Sequence, residues 1–190
     1  MLRFHLSTAV IIPALTILEK FGTLDVNLMY IGAKNNVFNS HVEFFSKMKK
    51  GTLYGLTPLV NETVCGPDFY EEAKKSGHYI ELDPAMSMEE AKEYANKMDV
   101  LYTDTWVDME FFNNPAYQKQ KEETLAKMMP YQLNGDFTKD SKAIVFHDMP
   151  MHVGFEISQD VVDKNLDHIL DEAENRRHAE KAVMYTLLNS

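Results

Sequence analysis

Short apolar runs alternate with amphipathic segments along this 190-residue chain. The run V-N-L-M-Y-I-G at 26–32 is apolar almost throughout, which is typical of a strand covered on both faces. The segment 37–49 instead repeats apolar residues at helical spacing. The two patterns predict strands at 26–32, 52–56, 78–82, 100–103, 143–147 and 168–170. They predict helices at 8–22, 37–49, 67–76, 87–98, 116–128, 160–165 and 172–188.

This alternation of strands and helices predicts an α/β fold, a doubly wound parallel sheet in a Rossmann-like three-layer α/β/α arrangement. Gly22 follows the first helix and suits the left-handed position after a helix end. Pro13 should kink that helix or mark its true start. Ser87 and Glu90 have the spacing of a capping box and mark the start of a later helix.

Composition narrows the classes of function. The chain is long enough for one domain with a sizeable core, and 45% of its residues are hydrophobic. Its formal net charge of −10 argues against nucleic-acid binding, which needs a basic face. The single cysteine, Cys65, excludes an internal disulfide and suits a reducing compartment. The apolar stretch at 8–18 is too short to cross a membrane and no targeting signal is recognisable, so we expect a cytoplasmic protein.

Polar residues gather in loops that directly follow three of the predicted strands. These loops are 32–37, 103–110 and 147–154, and a fourth polar segment, 173–179, opens the last predicted helix. In a doubly wound sheet, ligands bind beyond the carboxyl ends of the strands. We therefore expect the four segments to meet at one edge of the sheet.

The residue types in these loops leave several chemistries open. Asp104, Asp108 and Glu110 flank Trp106, and they form either a solvated acidic loop or a site for a cationic amine. Arg176 either pairs with a carboxylate one helical turn away or binds a phosphate or carboxylate group.

Metal and nucleotide sites are disfavoured. His147, Asp148 and His152 match no compact metal motif, and Pro150 prevents a regular helix through them. The glycine-rich fingerprints of dinucleotide- and phosphate-binding loops do not occur in the sequence, so no cofactor is expected.

Five motifs occur in an order that resembles the carboxy-terminal, amino-acid-binding half of the aspartate/ornithine carbamoyltransferase family, and within it the ornithine branch. L-T-I-L-E-K-F-G (15–22) resembles the family's interdomain helix, and G-A-K-N-N-V-F-N-S (32–40) resembles its G-D-x-N-N-V-x-x-S turn. D-T-W-V-D-M-E (104–110) is similar to the ornithine loop D-x-W-x-S-M-G, and H-D-M-P-M-H-V-G (147–154) is similar to H-C-L-P-x-H-x-G. A-E-N-R-R-H-A-E-K-A (173–182) is similar to A-E-N-R-x-H-A-Q-K-A.

The resemblance implies a substrate-binding set. Asn36, with Asn35 beside it, would bind the α-amino and carboxylate end of an ornithine-like substrate. Asp104 would take the α-amino group, and the region of Asp108 and Met109 would fix the carboxylate.

The resemblance also implies a catalytic set. The loop from His147 through Asp148 and Met149 to Pro150 would present backbone carbonyls to the carbamoyl amide and the attacking amine. Arg176 would reach the carbamoyl phosphate. No metal takes part in this arrangement.

The resemblance divides the chain into an interdomain-type helix at 1–22 and an amino-acid-binding domain at 23–190, without the carbamoyl-phosphate domain and its S-T-R-T-R loop. The family's H-P-x-Q motif aligns with residues 6–9, where its polar groups are lost, and a helical aspartate of the family falls on Pro13. The family's Cys, Leu, Ser and Gly are replaced by Asp148, Met149, Asp108 and Glu110, so three carboxylates are added.

Two hypotheses follow. In the first, the chain is part of a carbamoyltransferase that binds an ornithine-like amine and needs a second subunit that carries the phosphate loop. Losing one oriented donor commonly slows such a transfer by ~10²–10³-fold, and a whole set is lost here. In the second, the chain is a non-catalytic amine-binding or regulatory module. In both cases exposed apolar faces should be covered by a partner or by self-association into a homo-oligomer.

Overall fold

A computed structural model describes residues 8–61, 65–107 and 109–189 of the chain. The strands in this part are Asn27–Lys34 (β1), Thr52–Val60 (β2), Tyr79–Glu81 (β3), Val100–Thr103 (β4) and Ile144–His147 (β5). The α-helices are Thr8–Phe21 (α1), Asn36–Met48 (α2), Pro67–Lys75 (α3), Met88–Ala95 (α4), Met109–Phe112 (α5), Gln118–Met128 (α6) and Gln159–Leu188 (α7). No helix of the described residues combines the length and apolar content that a membrane crossing requires.

All pairings between the described strands are parallel, and the strand order is β3-β2-β1-β4-β5. The chain moves outward from β1 to β3, then returns to the other side of β1 to form β4 and β5. The direction of winding therefore reverses at β1, next to β4. The predicted doubly wound parallel sheet is confirmed, and a crevice between the loops after β1 and β4 is the expected ligand position.

Successive residues of β1 bury their side chains on opposite faces of the sheet. Leu28 and Tyr30 join one apolar cluster with residues of α2 and α3. Met29 and Ile31 join a second cluster with residues of α4 and α7. Each fully buried side chain of this size stabilises the fold by about 1.5–3 kcal/mol relative to exposure, so both faces need a helical layer. The apolar run in the sequence reflects this three-layer arrangement.

Several helix ends follow from local sequence as predicted. Gly22 has φ of 69°, and its N–H donates to the carbonyl of Leu18 over 2.9 Å, which ends α1. Ser87 and Glu90 form the predicted capping box at the start of α4. Pro13 lies inside α1, which continues through it.

The predicted break near the end of the chain is wrong. The sequence patterns predict a short helix at 160–165, a strand at 168–170 and a last helix at 172–188, whereas α7 is one helix of 30 residues. The segment between Lys164 and His168 contains neither Gly nor Pro, so nothing in it forces the helix to end. Its side chains also continue the buried stripe of α7 through Asn165 and Ile169.

The continuous helix protects the outer edge of the sheet. Asn165 accepts a hydrogen bond from the backbone N–H of Val145 over 3.0 Å, and Glu172 accepts one from the N–H of His147, also over 3.0 Å. Both donors belong to β5, the edge strand. Side chains of α7 thus satisfy N–H groups that another strand would otherwise pair.

Candidate functional site

Asn35 and Asp104 join the loops that follow β1 and β4. Nδ2 of Asn35 donates to Oδ2 of Asp104 over 2.8 Å. Oδ1 of the same amide accepts from the backbone N–H of Phe38 at 3.0 Å and caps α2. Because the cap fixes the amide, the carboxylate of Asp104 is held in one orientation at the carboxyl end of the sheet.

Burial makes Asp104 a weaker acid than an ordinary aspartate. The residue is 7% exposed, and burial raises its pKa from 3.8 to about 6. His147 opposes this rise in the pKa, whereas the negative charge of Asp148 adds to it. At neutral pH the carboxylate is mostly ionised but poorly solvated. An ammonium group would supply this carboxylate with a positive charge and with further hydrogen-bond donors.

Two carboxyl groups hold the loop that follows β5. Nε2 of His147 lies 3.1 Å from Oε1 of Glu156, and Glu156 also accepts from the backbone N–H of His152. The backbone N–H of His147 donates to Glu172 on α7. Between these anchors the Met149–Pro150 peptide bond is cis. The loop is therefore held at both ends by groups that lie outside it.

The protonation states around His147 are coupled through this buried cluster. Burial raises the pKa of Glu172 from 4.5 to about 8, and the charge of Asp148 adds to the rise, so this carboxyl carries a proton at neutral pH. Burial by itself lowers the pKa of His147, but the hydrogen bond and charge of Glu156 and the charge of Asp104 raise it above its ordinary value. The His147–Glu156 contact therefore favours the imidazolium form of the ring.

Arg176 lies on α7 and completes the cluster. Its Nη2 donates to Oδ1 of Asp148, the residue that follows His147. The arginine side chain is 45% exposed and the aspartate side chain 16% exposed. Burial raises the pKa of Asp148, and the positive charge of Arg176 opposes that rise. Arg176 is thus paired with a carboxylate of its own chain.

One protein-family model matches most of the chain. The profile for the aspartate/ornithine carbamoyltransferase Asp/Orn binding domain matches residues 24–187. The chain belongs to the aspartate/ornithine carbamoyltransferase family. The resemblance given by the five motifs is therefore confirmed.

Several ornithine carbamoyltransferases have sequences similar to this chain. That of Chlorobaculum tepidum is 33% identical over 186 residues, covering 95% of this chain and 50% of its own length. That of Pyrococcus horikoshii is 35% identical over 190 residues, covering 92% of this chain and 53% of its own length. The chain therefore spans about half the length of the curated relatives it matches.

Solved structures in the family have the same fold. The ornithine carbamoyltransferase of Pyrococcus furiosus superposes with a TM-score of 0.74 at 30% identity, over 93% of this chain and 54% of that one. The anabolic enzyme of Campylobacter jejuni superposes with a TM-score of 0.78 at 25% identity, over 96% of this chain and 58% of that one.

Five residues that the family motifs single out come together in one network. Asn35 contacts Asp104, which interacts electrostatically with His147 and Asp148, and Asp148 binds Arg176. The alternative in which Arg176 pairs along its own helix is not what the structure shows. Glu172 and Glu180 lie one helical turn on either side of Arg176; Glu172 is buried and bonds the backbone of β5, and Arg176 donates to Asp148.

The other residues that the motifs single out lie around this network. Asn36 is exposed beside Asn35 at the start of α2. Met149 is half-buried against the apolar cluster below α7, and Pro150 is exposed. Met109 begins α5. Asp108 lies outside the described residues, as do positions 6 and 7 of the lost H-P-x-Q motif.

The two histidines of the 147–154 loop are engaged in other contacts. The ring of His147 bonds Glu156, and the ring of His152 stacks on Phe112 with centroids 3.5 Å apart and planes inclined by 9°. Within the described part of the chain, no group of three or more His, Cys, Asp or Glu residues is arranged to hold a metal ion.

Sequence reasoning missed two carboxyl groups of the site, Glu156 and Glu172. For Glu172 a signal exists, because polar residues interrupt an otherwise apolar stripe on α7. The buried positions of this helix that follow one another at intervals of three or four are Val161, Asn165, Ile169, Glu172, Asn175 and Ala179. Glu156 lies between Phe155 and Ile157 in a loop, and no pattern marks it.

Proposed function

We propose that this chain is the amino-acid-binding half of a carbamoyltransferase, and that it binds an ornithine-like amino acid or amine beside Asp104. The observation that carries the proposal is the joining of Asn35, Asp104, the 147–150 loop and Arg176 at the carboxyl ends of β1, β4 and β5. In this proposal Asp104 accepts hydrogen bonds from an amino group of the ligand. Asn36 and the region of Asp108 and Met109 bind its carboxylate end, as the family motifs imply.

The 147–150 loop would place the amine for transfer. In this proposal backbone carbonyls of His147, Asp148 and Met149 face the attacking amine and the carbamoyl amide. The hydrogen bonds that Glu172 and Glu156 accept from the backbone N–H groups of His147 and His152 hold this loop. Held carbonyls of this kind lower the barrier chiefly by orienting the reactants.

The phosphate end of the reaction requires groups beyond this domain. The matched relatives are about twice as long as the matched part, and the resemblance assigns most carbamoyl-phosphate contacts to their other half. We propose that a separate subunit supplies these contacts and that 1–22 is the interdomain-type helix that joins it to the domain 23–190. A docking surface for that subunit on α1 and α7 is supported by their exposed apolar residues, which are Leu18, Phe21, Met184, Tyr185 and Leu188.

A reconstitution assay tests the proposal. Citrulline formation from ornithine and carbamoyl phosphate is measured for the chain alone, for a protein that carries the S-T-R-T-R loop alone, and for the mixture. We expect activity only in the mixture, and we expect Asp104→Asn to reduce it by about ten- to a hundredfold, the equivalent of a lost charge-assisted hydrogen bond. Asp163→Asn, on the exposed side of α7, is the control and should leave the rate unchanged. A mixture that binds ornithine but forms no citrulline would contradict the catalytic part of the proposal.

One observation favours a second candidate function, a non-catalytic amine-binding or regulatory module. Arg176, the family position for carbamoyl phosphate, is paired with Asp148. A module of this kind would bind ornithine, lysine, putrescine or arginine without any partner. Under this alternative, calorimetric titration detects one of these ligands, while every reconstituted mixture stays inactive.

A further inference from the structure

The positive end of the candidate site is neutralised from within the chain. Arg176 is the arginine of the A-E-N-R motif, and its guanidinium donates to the carboxylate of Asp148. Asp148 occupies the position at which the family motif H-C-L-P has a cysteine. The arginine side chain remains 45% exposed, so solvent reaches the guanidinium although its charge is paired.

Asp148 acts on both ends of the site. Burial is the main cause of the raised pKa values of Asp104, Tyr30 and Tyr102, and the negative charge of Asp148 adds to each rise. Asp148 and Asp104 follow His147 and Thr103, which are paired on the neighbouring strands β5 and β4, so the charge of Asp148 strengthens the negative potential at Asp104. The same carboxylate is bonded to the arginine that would otherwise receive an anion.

The consequences for a cation and for an anion are opposite. An ammonium group near Asp104 gains from the additional carboxylate. A phosphate at Arg176 competes with the Asp148 carboxylate for Nη2 and lies beside that negative charge. A guanidinium binds phosphate most strongly through two parallel donors, and the bond to Asp148 occupies one of its nitrogens.

We propose that Asp148 is a specificity-determining residue: it closes Arg176 to phosphate and makes the site selective for ligands that carry amino groups. This inference rests on the proposed amine site at Asp104. It adds that the pairing of Arg176 with Asp148 weakens the binding of carbamoyl phosphate to this domain.

The test compares anion affinity with and without the carboxylate. Inorganic phosphate is titrated calorimetrically, at one low ionic strength, into the wild-type protein, Asp148→Asn and Asp148→Cys. Glu174→Gln is the matched control, because it removes one negative charge from an exposed residue of α7 that pairs with Arg177 and not with Arg176. We expect Asp148→Cys to bind phosphate about ten- to a hundredfold more tightly than wild type, the range of one charged hydrogen bond, with a smaller gain for Asp148→Asn.

A second substitution identifies the group that receives the anion. Adding Arg176→Gln to Asp148→Cys should abolish the increase in phosphate affinity. Glu174→Gln alone should leave phosphate affinity at the wild-type value. Circular dichroism and the melting temperature confirm that each variant is folded; if one Asp148 variant does not fold, the other decides. Unchanged phosphate affinity in a folded Asp148 variant, or an equal gain in Glu174→Gln, overturns the inference.

A parallel titration with ornithine separates this inference from the proposed function. Wild-type protein that binds ornithine, together with Asp148 variants whose phosphate affinity is unchanged, contradicts only the role of Asp148. Wild-type protein that binds none of the amines contradicts the proposed function, and with it the amine selectivity inferred here.

Discussion

Replacing the buried carboxyl of Glu172 with an amide should stabilise the protein at alkaline pH. Glu172 is 2% exposed, and its Oε2 accepts the backbone N–H of His147 over 3.0 Å. A glutamine at this position has nearly the same shape and keeps an oxygen to accept that hydrogen bond. It differs in having no proton to lose.

The magnitude follows from the pKa of this carboxyl. Burial raises it from 4.5 to about 8, so the folded state holds the proton more tightly than the unfolded state. This contribution to stability is fully present below pH 4.5 and is lost as the pH rises through about 8. The full shift of this pKa corresponds to about 5 kcal/mol in the free energy of unfolding. About 3 kcal/mol of this stabilisation is lost between pH 6 and pH 9.

The assay is urea unfolding of the wild-type protein and Glu172→Gln at pH 6, 7, 8 and 9. The stability of the variant relative to wild type should increase by about 3 kcal/mol over this range, because only the wild type must bury a carboxylate. Asp104 and Asp148 titrate in both proteins, so most of their effect cancels in the difference. Glu174→Gln, an exposed carboxyl on the same helix, should follow the wild type. Parallel stability curves for wild type and Glu172→Gln would refute the burial argument.

Two further predictions concern packing and the loop after β1. A Cβ at Gly55 would lie 2.6 Å from Cζ of Phe38, so Gly55→Ala should lower the free energy of unfolding by about 1–3 kcal/mol in urea titrations. Gly66→Ala, where a Cβ meets nothing within 4 Å, is the control, and similar losses for both would count against the packing argument. Asn35→Ala removes the cap of α2 and the hydrogen bond to Asp104 and should cost about 1–3 kcal/mol. Because that bond lowers the pKa of Asp104, carboxyl NMR should find this pKa above its wild-type value, and an unchanged pKa would contradict the contact.

The sheet was predictable because its strands are buried. The β4 strand, Val100–Thr103, was predicted with its observed bounds, and all four of its residues are buried. The β2 strand extends to Val60, beyond the predicted end at residue 56, and its last three residues are less buried than the three before them. Burial on both faces gives a signal in the sequence, whereas pairing at an exposed strand end does not.

The end of the chain shows where local patterns fail. The sequence at 164–168 has no strong helix signal, and the prediction placed an interruption there. In the structure Asn165 is stabilised within the helix because its amide bonds Val145 on β5 and the carbonyl of Val161. Both the tertiary contact and the continuous stripe of α7 override the local preference.

The position of the candidate site was predictable from topology, but its electrostatics were not. Loops after β1, β4 and β5 necessarily end at one edge of a parallel sheet, which places Asn35, Asp104 and His147 near one another. The partner of Arg176 depends on how α7 lies against the loop after β5. The sequence offers carboxylates at helical spacing as partners for this arginine, and the structure instead provides Asp148.

The central claim is that Asp104 and the surrounding loops bind an amino group. Its most direct test is calorimetric titration of ornithine into the wild-type chain, Asp104→Asn and the exposed control Asp163→Asn at pH 7.5. We predict saturable binding by the wild type and the control, and affinity lower by about ten- to a hundredfold in Asp104→Asn. Equal affinity in folded Asp104→Asn and wild type, or no binding of ornithine, lysine, putrescine or arginine by the wild type, would contradict the account.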